Sequence, residues 1–526
     1  MHSPIALAAL VLSGVAVPPP APAVAARDRV IAAADLVSDL AILRESFETL
    51  HPGLYRSLTK ADADALFVRA AETWSRDRTL AEAFLDLTRW TAAIRCGHTF
   101  PNMHNQSKAV RAAFCEGRDR VPFAFRWIDR RMVITHDCSE AKLPRGTEVL
   151  AINGIAANVL LDELLPLTRA DGASDAKRVA QLEVGGVDRY EAFDIDLPLI
   201  HPEVAERFTL SVREPGASAP RELAVTPMRA EDRNAALAAV HATTLPTDKN
   251  APQWELTMLD DGTGYLAMQS WALYNSTWDW KASLHATFDK LAHENVPALI
   301  IDLRDNEGGL DVGNEIASRL ADREIRIADF GRFARCRTVP QRLNPYLDTW
   351  DDSFRDWGKD VVEDRDGFYR FVEGDDSTNV IAPRAPRYHG KVFVLIGPTN
   401  SSATFQFARL VTAHALATTV GQPTGGNQRG INGGAFFFLR LPKSGLEVDL
   451  PLIARFPNEE RPNGARLPFA SVPDGGIAPM VMVTTTIEDI AAGRDPELTA
   501  ARAICKPAVA PRSGSAKVSQ PALDAS

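Results

Sequence analysis

At 526 residues the chain is longer than one hydrophobic core usually organises, so two or three domains are expected. Hydrophobic residues make up 45% and charged residues 24%, which excludes disorder along the whole chain. The formal net charge of −10, with no basic stripe, argues against nucleic acid as a main partner, because binding a phosphate backbone needs a positive field.

Residues 1–26 hold the apolar run PIALAALVLSGVAV and a Pro/Ala segment ending Ala23-Val24-Ala25, the small-residue pattern at which a signal peptidase cuts. The segment is expected to be an export signal, placing the mature protein in the periplasm or outside the cell. Because no Lys or Arg precedes the apolar run, a disordered leader is the alternative. No other run approaches the roughly 18 apolar residues of a membrane span. The five cysteines are far apart with no CxxC pair, which speaks against a metal knuckle; a Cys115–Cys138 disulfide is one pairing open in an oxidising compartment.

Residues 28–110 read as a small helical cap. DLVSDLAILRESFETLH, ADADALFVRAAETW and LAEAFLDLTRWTAAIR repeat apolar residues at three and four, as amphipathic helices do, and Gly97 in Cys96-Gly97-His98-Thr99 stops the last. Within 115–235 the period shifts toward two in FAFRW and RMVITH. PRGTEVLAINGIAA then gives a strand and an Asn153-Gly154 turn before the helical VLLDELLPL. This stretch resembles a PDZ-like module, with a generic β-rich domain as the alternative; strand addition of a peptide would be the module's function.

Residues 250–500 alternate strand and helix, the signature of an α/β layer structure. Strands are expected at Gly264 to Met268, Pro297 to Leu303 and Lys391 to Ile396, and helices at Thr277 to His293 and Asp311 to Ala321. The polar and aromatic excursion 325–389 is too long for a simple connection and reads as a lid or subdomain. Residues 506–526 form a low-complexity tail, expected to be disordered.

Two corners in this layer could serve acyl transfer. ALIIDLRDNEGG runs a strand into paired glycines, whose backbone N–H groups no Cβ crowds; GPTNSSATFQFA runs from a strand into a serine pair that opens a helix. Ser402 is the candidate nucleophile, at a helix N-terminus that favours developing negative charge. Asn400, Ser401 and Ser402 are equally suited to capping that helix. Asp302, Arg304 and Glu307 beside the glycines read as structural ion pairing at a strand end. No HExxH, paired-ligand or GxxxxGK[ST] spacing is present, so neither metal nor cofactor is expected.

DLRDNEGG, NSSATFQFA, VGQPTGGN, GGIAPM and DIAAGRDPEL together resemble the C-terminal processing protease and tricorn core family of serine peptidases, loosely from Asp35 and specifically from about Leu299 to Ala503. The resemblance implies a crotonase-like (ClpP/crotonase) α/β catalytic domain, a protein or peptide substrate, Ser402 as nucleophile, and an oxyanion hole from Gly308 or Gly309 with Ala403. One branch of the family uses a lysine where this chain has Asn427. The other takes its base from a Gly-His-Thr segment after the cap, which makes His98 the expected base, although many relatives carry Asp where this chain has Cys96. An imidazole suits that task at neutral pH. For the acid that orients His98 the resemblance leaves Asp474 and the Glu459-Glu460 pair, with Asp474 favoured by motif position. The expectation is an exported serine endopeptidase or C-terminal processing peptidase; a catalytically silent ligand- or peptide-binding protein on the same scaffold is the alternative.

Overall fold

Helix α1 (Ala33–Leu50) buries Leu36, Leu40, Leu43, Phe47 and Leu50, the three-and-four spacing of one helical face. The computed structural model that shows this describes residues 26–505 apart from 187, 206, 240–245, 247, 328–329, 373–379 and 458–471. The expected export signal, the tail and the Glu459-Glu460 pair therefore lie outside the described residues. Helices α2 (Lys60–Thr73) and α3 (Leu80–Ala93) each open on a capping box, Thr59 with Asp62 and Thr79 with Glu82, which satisfies two otherwise orphaned N–H groups apiece. Helix α4 (Lys108–Cys115) is capped by the Ser107 hydroxyl.

The middle of the chain forms an antiparallel sheet, in the order β1 (Phe123–Ile128), β2 (Arg131–Asp137), β3 (Glu148–Ile152), β4 (Phe208–Arg213), β5 (Arg221–Val225). The hairpin between β1 and β2 turns on Asp129 and Arg130, both at positive φ, as a two-residue hairpin loop requires. The Asn153-Gly154 turn expected from the sequence follows β3, again with both residues at positive φ. Helices α5 (Ala157–Leu164), α6 (Asp175–Ala180) and α7 (Ala192–Ile200) complete this layer, with Leu160, Leu164, Phe193, Phe125 and Leu210 in its core.

The α/β layer is built from β6 (Leu256–Met258), β7 (Gly264–Ala267), α8 (Trp280–His293), β8 (Ala298–Asp302) and α9 (Val312–Leu320), resuming after the 325–389 excursion. In that excursion lie β9 (Phe330–Ala334), β10 (Leu347–Asp348), β11 (Val361–Glu363) and β12 (Tyr369–Phe371). Then follow β13 (Lys391–Ile396), α10 (Ser402–Ala413), β14 (Thr418–Gly421), β15 (Ile431–Arg440), β16 (Glu447–Pro457), β17 (Val481–Met482) and α11 (Pro496–Cys505). The first sheet runs β17-β14-β13-β8-β7-β6, parallel throughout except for the antiparallel edge strand β6. Leu299 and Ile301 of β8 face α8, α9 and α10, while Ala298 and Ile300 face α11. Burial on both faces explains the unbroken apolar run of that strand.

The excursion does not form a separate unit. Its strands extend the hairpin β15–β16 into a second, antiparallel sheet ordered β10-β15-β16-β9-β12-β11. Phe437, Leu439, Val448 and Leu450 of that hairpin share one core with Leu40, Phe47, Phe84 and Phe114 of the cap, so cap and excursion are bound together through the hairpin between them. All five cysteines are free thiols, so the Cys115–Cys138 pairing is not formed.

Candidate active site

The glycine corner after β8 and the serine turn after β13 are fastened to each other by two asparagines. Asn306 donates from Nδ2 to the Met268 carbonyl at 2.7 Å and accepts the Gly308 N–H on Oδ1 at 2.9 Å. Asn400 accepts the Gly397 N–H at 2.8 Å and donates to the carbonyls of Leu303 and Asn306, the latter at 2.9 Å. The Thr404 hydroxyl reaches the Asn306 carbonyl as well, at 2.9 Å. Both asparagines are fully buried, so every one of these bonds is shielded from water. Outside them, Arg304 binds Asp302 at 2.6 Å, Asp495 at 2.8 Å and Glu497 at 2.7 Å, tying the strand end to the start of α11 as structural pairing would.

The two serines are held differently. Ser401 is the N-cap of α10, yet its side chain makes no capping bond. Its buried hydroxyl accepts from Lys177 Nζ at 2.7 Å and donates to the Glu307 carbonyl at 3.2 Å. Ser402 is half-buried and sits at φ +48°, a left-handed conformation that costs a non-glycine residue about 1 kcal/mol or more. Its hydroxyl has no hydrogen-bond partner among the described residues. Strain and a free hydroxyl on one side chain are what capping does not explain.

Gly308 lies directly against it. A Cβ at Gly308, whose φ is +124°, would stand 2.8 Å from the Ser402 Cβ and 3.0 Å from the Ala403 nitrogen; one at Gly309 would fall 2.1 Å from the Trp271 backbone. Only glycine fits either position. The Gly308 N–H is occupied by Asn306, whereas the N–H groups of Gly309 and Ala403 donate to no partner among the described residues.

His98 follows α3 on the Gly97-His98-Thr99 turn. Thr99 is anchored by His51, whose Nε2 lies 2.7 Å from the Thr99 hydroxyl and whose Nδ1 accepts the Gly53 N–H at 3.0 Å. Burial, reinforced by Arg56, pushes the His51 pKa down to about 3, so this ring is a neutral strut. The His98 ring is half-buried and packs 5.8 Å from the Phe436 ring, while a Cβ at Gly433 would approach its Cε1 and Nε2 at 3.8 Å. Burial lowers the His98 pKa from its ordinary value; the Asp171 carboxylate opposes this, Lys177 and Arg169 add to it, and Glu307 opposes it. The imidazole is therefore neutral at neutral pH. No hydrogen bond joins His98 to Ser402; the His98 ring feels the charges of the Lys177–Glu307 ion pair, and Lys177 binds Ser401, the residue before Ser402.

That ion pair is what the sequence did not reveal. Lys177 of α6, 2% exposed, brings its ammonium within 2.7 Å of Glu307 as well as of Ser401. Arg169, stacked 3.7 Å over the Phe100 ring, binds Glu307 at 2.9 Å. Desolvation pushes the Glu307 carboxyl up, but the two cations outweigh it and hold it well below the usual carboxylate range. The site has no lysine at Asn427, which instead donates to the Asp171 carbonyl at 3.1 Å and to Asp474 at 2.7 Å. A cavity of about 220 Å³ opens beside the ion pair, lined among others by Phe100, Met103, Arg169, Tyr190 and Glu307.

Asp474, expected to hold His98, has other partners in this structure. Its oxygens are engaged by Asn427, by the Ala173 N–H at 3.1 Å and by Arg429 at 3.2 Å, and none reaches the imidazole. The guanidinium and the two N–H donors satisfy the carboxylate where it stands. Glu460 is among the residues not described.

The profile of peptidase family S41 matches residues 262–433, the span that carries both corners. Over those residues the chain is similar to the peptidases of this family. It is accordingly a serine-type peptidase. A comparison with curated proteins found no match. Among solved structures, mature CPAF complexed with lactacystin superposes with a TM-score of 0.58 at 15% identity, over 90% of this chain and 98% of that one. Mature CPAF alone gives 0.55 at 15% identity, over 87% and 94%. These likenesses show the fold of the peptidase. The photosystem II D1 C-terminal processing protease is more distant, with a TM-score of 0.36 at 14% identity over 87% and 96%.

Proposed function

We propose that the peptidase cleaves peptide bonds through an acyl-enzyme on Ser402 with His98 as general base, and that it acts after export, in the periplasm or outside the cell, as an endopeptidase or C-terminal processing enzyme. The single observation that carries the reading is Ser402 itself: a strained, unpartnered, half-exposed hydroxyl set against a glycine corner. The serine hydroxyl adds to the substrate carbonyl and its proton passes to His98 Nε2; the tetrahedral oxygen is received by the Gly309 and Ala403 N–H groups, which face no other acceptor. Gly308 keeps that space clear rather than donating to it. Collapse expels the amine, which takes the proton from His98, and water repeats the sequence to release the acid.

In this reading the β6–β17 layer is a crotonase-like catalytic domain, residues 28–110 are a cap that carries the base, and the β1–β5 domain is PDZ-like. Its α6 delivers Lys177 to the serine turn, so that domain and catalytic centre are mechanically joined. The alternative, a silent binding protein on the same scaffold, draws on the absence of a His98–Ser402 hydrogen bond. A fluorophosphonate probe separates the two. We expect labelling of the wild type at Ser402, retained in Ser401→Ala and lost in Ser402→Ala and His98→Ala; a wild type that resists the probe and hydrolyses no peptide would leave the binding protein standing.

A further inference from the structure

Two buried polar atoms without partners lie beside the proposed base. His98 Nδ1 and Asp171 Oδ2 are both shielded from solvent, and neither makes a hydrogen bond. They are complementary, since an imidazole nitrogen can donate while a carboxylate oxygen only accepts. The rest of Asp171 is fixed in place: the side chain is fully buried, and its Oδ1 accepts the Gly97 N–H at 3.0 Å and pairs with Arg56 Nη2 at 3.1 Å. Gly97 is the residue before His98, and a Cβ placed on it would meet Asp171 Oδ2 at 2.7 Å, so the free oxygen covers the peptide that leads into the imidazole. A side chain at position 97 would push that carboxylate away. Cys96 cannot supply this charge, because burial and the Asp171 charge both raise its thiol pKa.

We propose that Asp171 is the positioning residue for His98, accepting the Nδ1–H on Oδ2 and thereby presenting a bare Nε2 to Ser402. The inference rests on the Ser402–His98 reading and assigns the role to an acid from the middle domain, in place of the acids late in the chain. A hydrogen bond between them would satisfy both orphaned atoms at once, which is the favourable direction for buried polar groups. During acylation the Ser402 proton moves to Nε2, the Oγ–carbonyl bond forms and the C–N bond breaks as Nε2 returns that proton to the amine. The Nδ1 proton stays on His98 throughout, and Asp171 stays a carboxylate stabilising the transient imidazolium.

The charged groups acting on His98 are Asp171, Lys177, Glu307 and Arg169, with Arg56 behind Asp171. Asp171→Asn keeps the volume and an acceptor for the Gly97 N–H, but removes the charge and can turn an amide donor toward Nδ1, which favours the wrong tautomer. We expect kcat for peptide hydrolysis to fall on the order of 10²–10⁴-fold with KM little changed. The acid limb of the pH profile should move to lower pH, since an anion that favours the imidazolium is gone. Adding Asp171→Asn to His98→Ala should cost nothing further. Should the variant fold poorly, ¹⁵N NMR of His98 in the wild type decides: Nδ1 protonated at pH 8 is the expected tautomer, and a proton on Nε2 overturns the proposal. A His98→Ala enzyme with full activity would remove the Ser402–His98 reading itself. A dead His98→Ala beside an Asp171→Asn enzyme of unchanged kcat and pH profile would remove only Asp171.

Discussion

Replacing Lys177 by Met removes one ammonium from the centre of the site while keeping the aliphatic stem that packs at Gly425, where an added Cβ would meet the Lys177 Cδ at 2.8 Å. Two charged hydrogen bonds are lost, one to the buried Ser401 hydroxyl and one to Glu307, each 2.7 Å long. A charge-assisted bond contributes about 1.5–3 kcal/mol, but Glu307 keeps Arg169 and is partly screened by solvent, so its share is discounted to about 1 kcal/mol. The expected loss of stability is about 2.5–4 kcal/mol, read from urea unfolding with an unchanged slope. The same change acts on catalysis. The Lys177 charge disfavours the His98 imidazolium. Without it the His98 pKa rises, and the acid limb of kcat/KM moves to higher pH, opposite in direction to Asp171→Asn. An acid limb that stays in place or moves to lower pH in Lys177→Met would refute the electrostatic account of His98.

Gly308→Ala should fold with reduced stability and react with a fluorophosphonate at least on the order of 10²-fold more slowly, because the new methyl would crowd Ser402 and the Ala403 N–H; an unchanged labelling rate would show that the corner does not border the reacting oxygen. His51 gives a pH test of stability. Its folded pKa, about 3, lies below the unfolded value, so the unfolded chain binds the proton first and stability is lost as pH falls from about 6.5 toward 3. At pH 5 the loss from this group is about 2 kcal/mol relative to neutral pH, and His51→Gln should remove that part of the acid sensitivity as measured by urea unfolding. Equal pH dependence in both proteins would mean that His51 is not held neutral.

What was legible in the sequence was local. The spacing of Leu36, Leu40, Leu43, Phe47 and Leu50 forms one helical face, and the strand Lys391–Ile396 has the bounds its composition suggests. The glycine corner and the serine turn could be read as partners because each carries its own backbone signal: paired glycines after an apolar strand, serines before an apolar helix. The capping alternative for those serines was equally legible, and only the positive φ of Ser402 and the Lys177 bond to Ser401 separate the roles. Lys177 and Asp171 left no trace, because a lysine in a six-residue helix and an aspartate before it match no motif, and their partners lie 224 and 74 residues away. The same non-locality hid the second sheet. The strands of the 325–389 excursion are two to five residues long, and what makes them a sheet is the hairpin β15–β16, which the chain reaches only after two more parallel strands and a helix.

The most direct test is a crystal structure of the enzyme inactivated by a peptidyl phosphonate. The account predicts phosphorus bonded to Ser402 Oγ, a phosphonyl oxygen about 3 Å from the N–H groups of Gly309 and Ala403, and His98 Nε2 turned to the adduct. Phosphorus on Ser401 beside Lys177, or an adduct on Ser402 with His98 facing away, would contradict it.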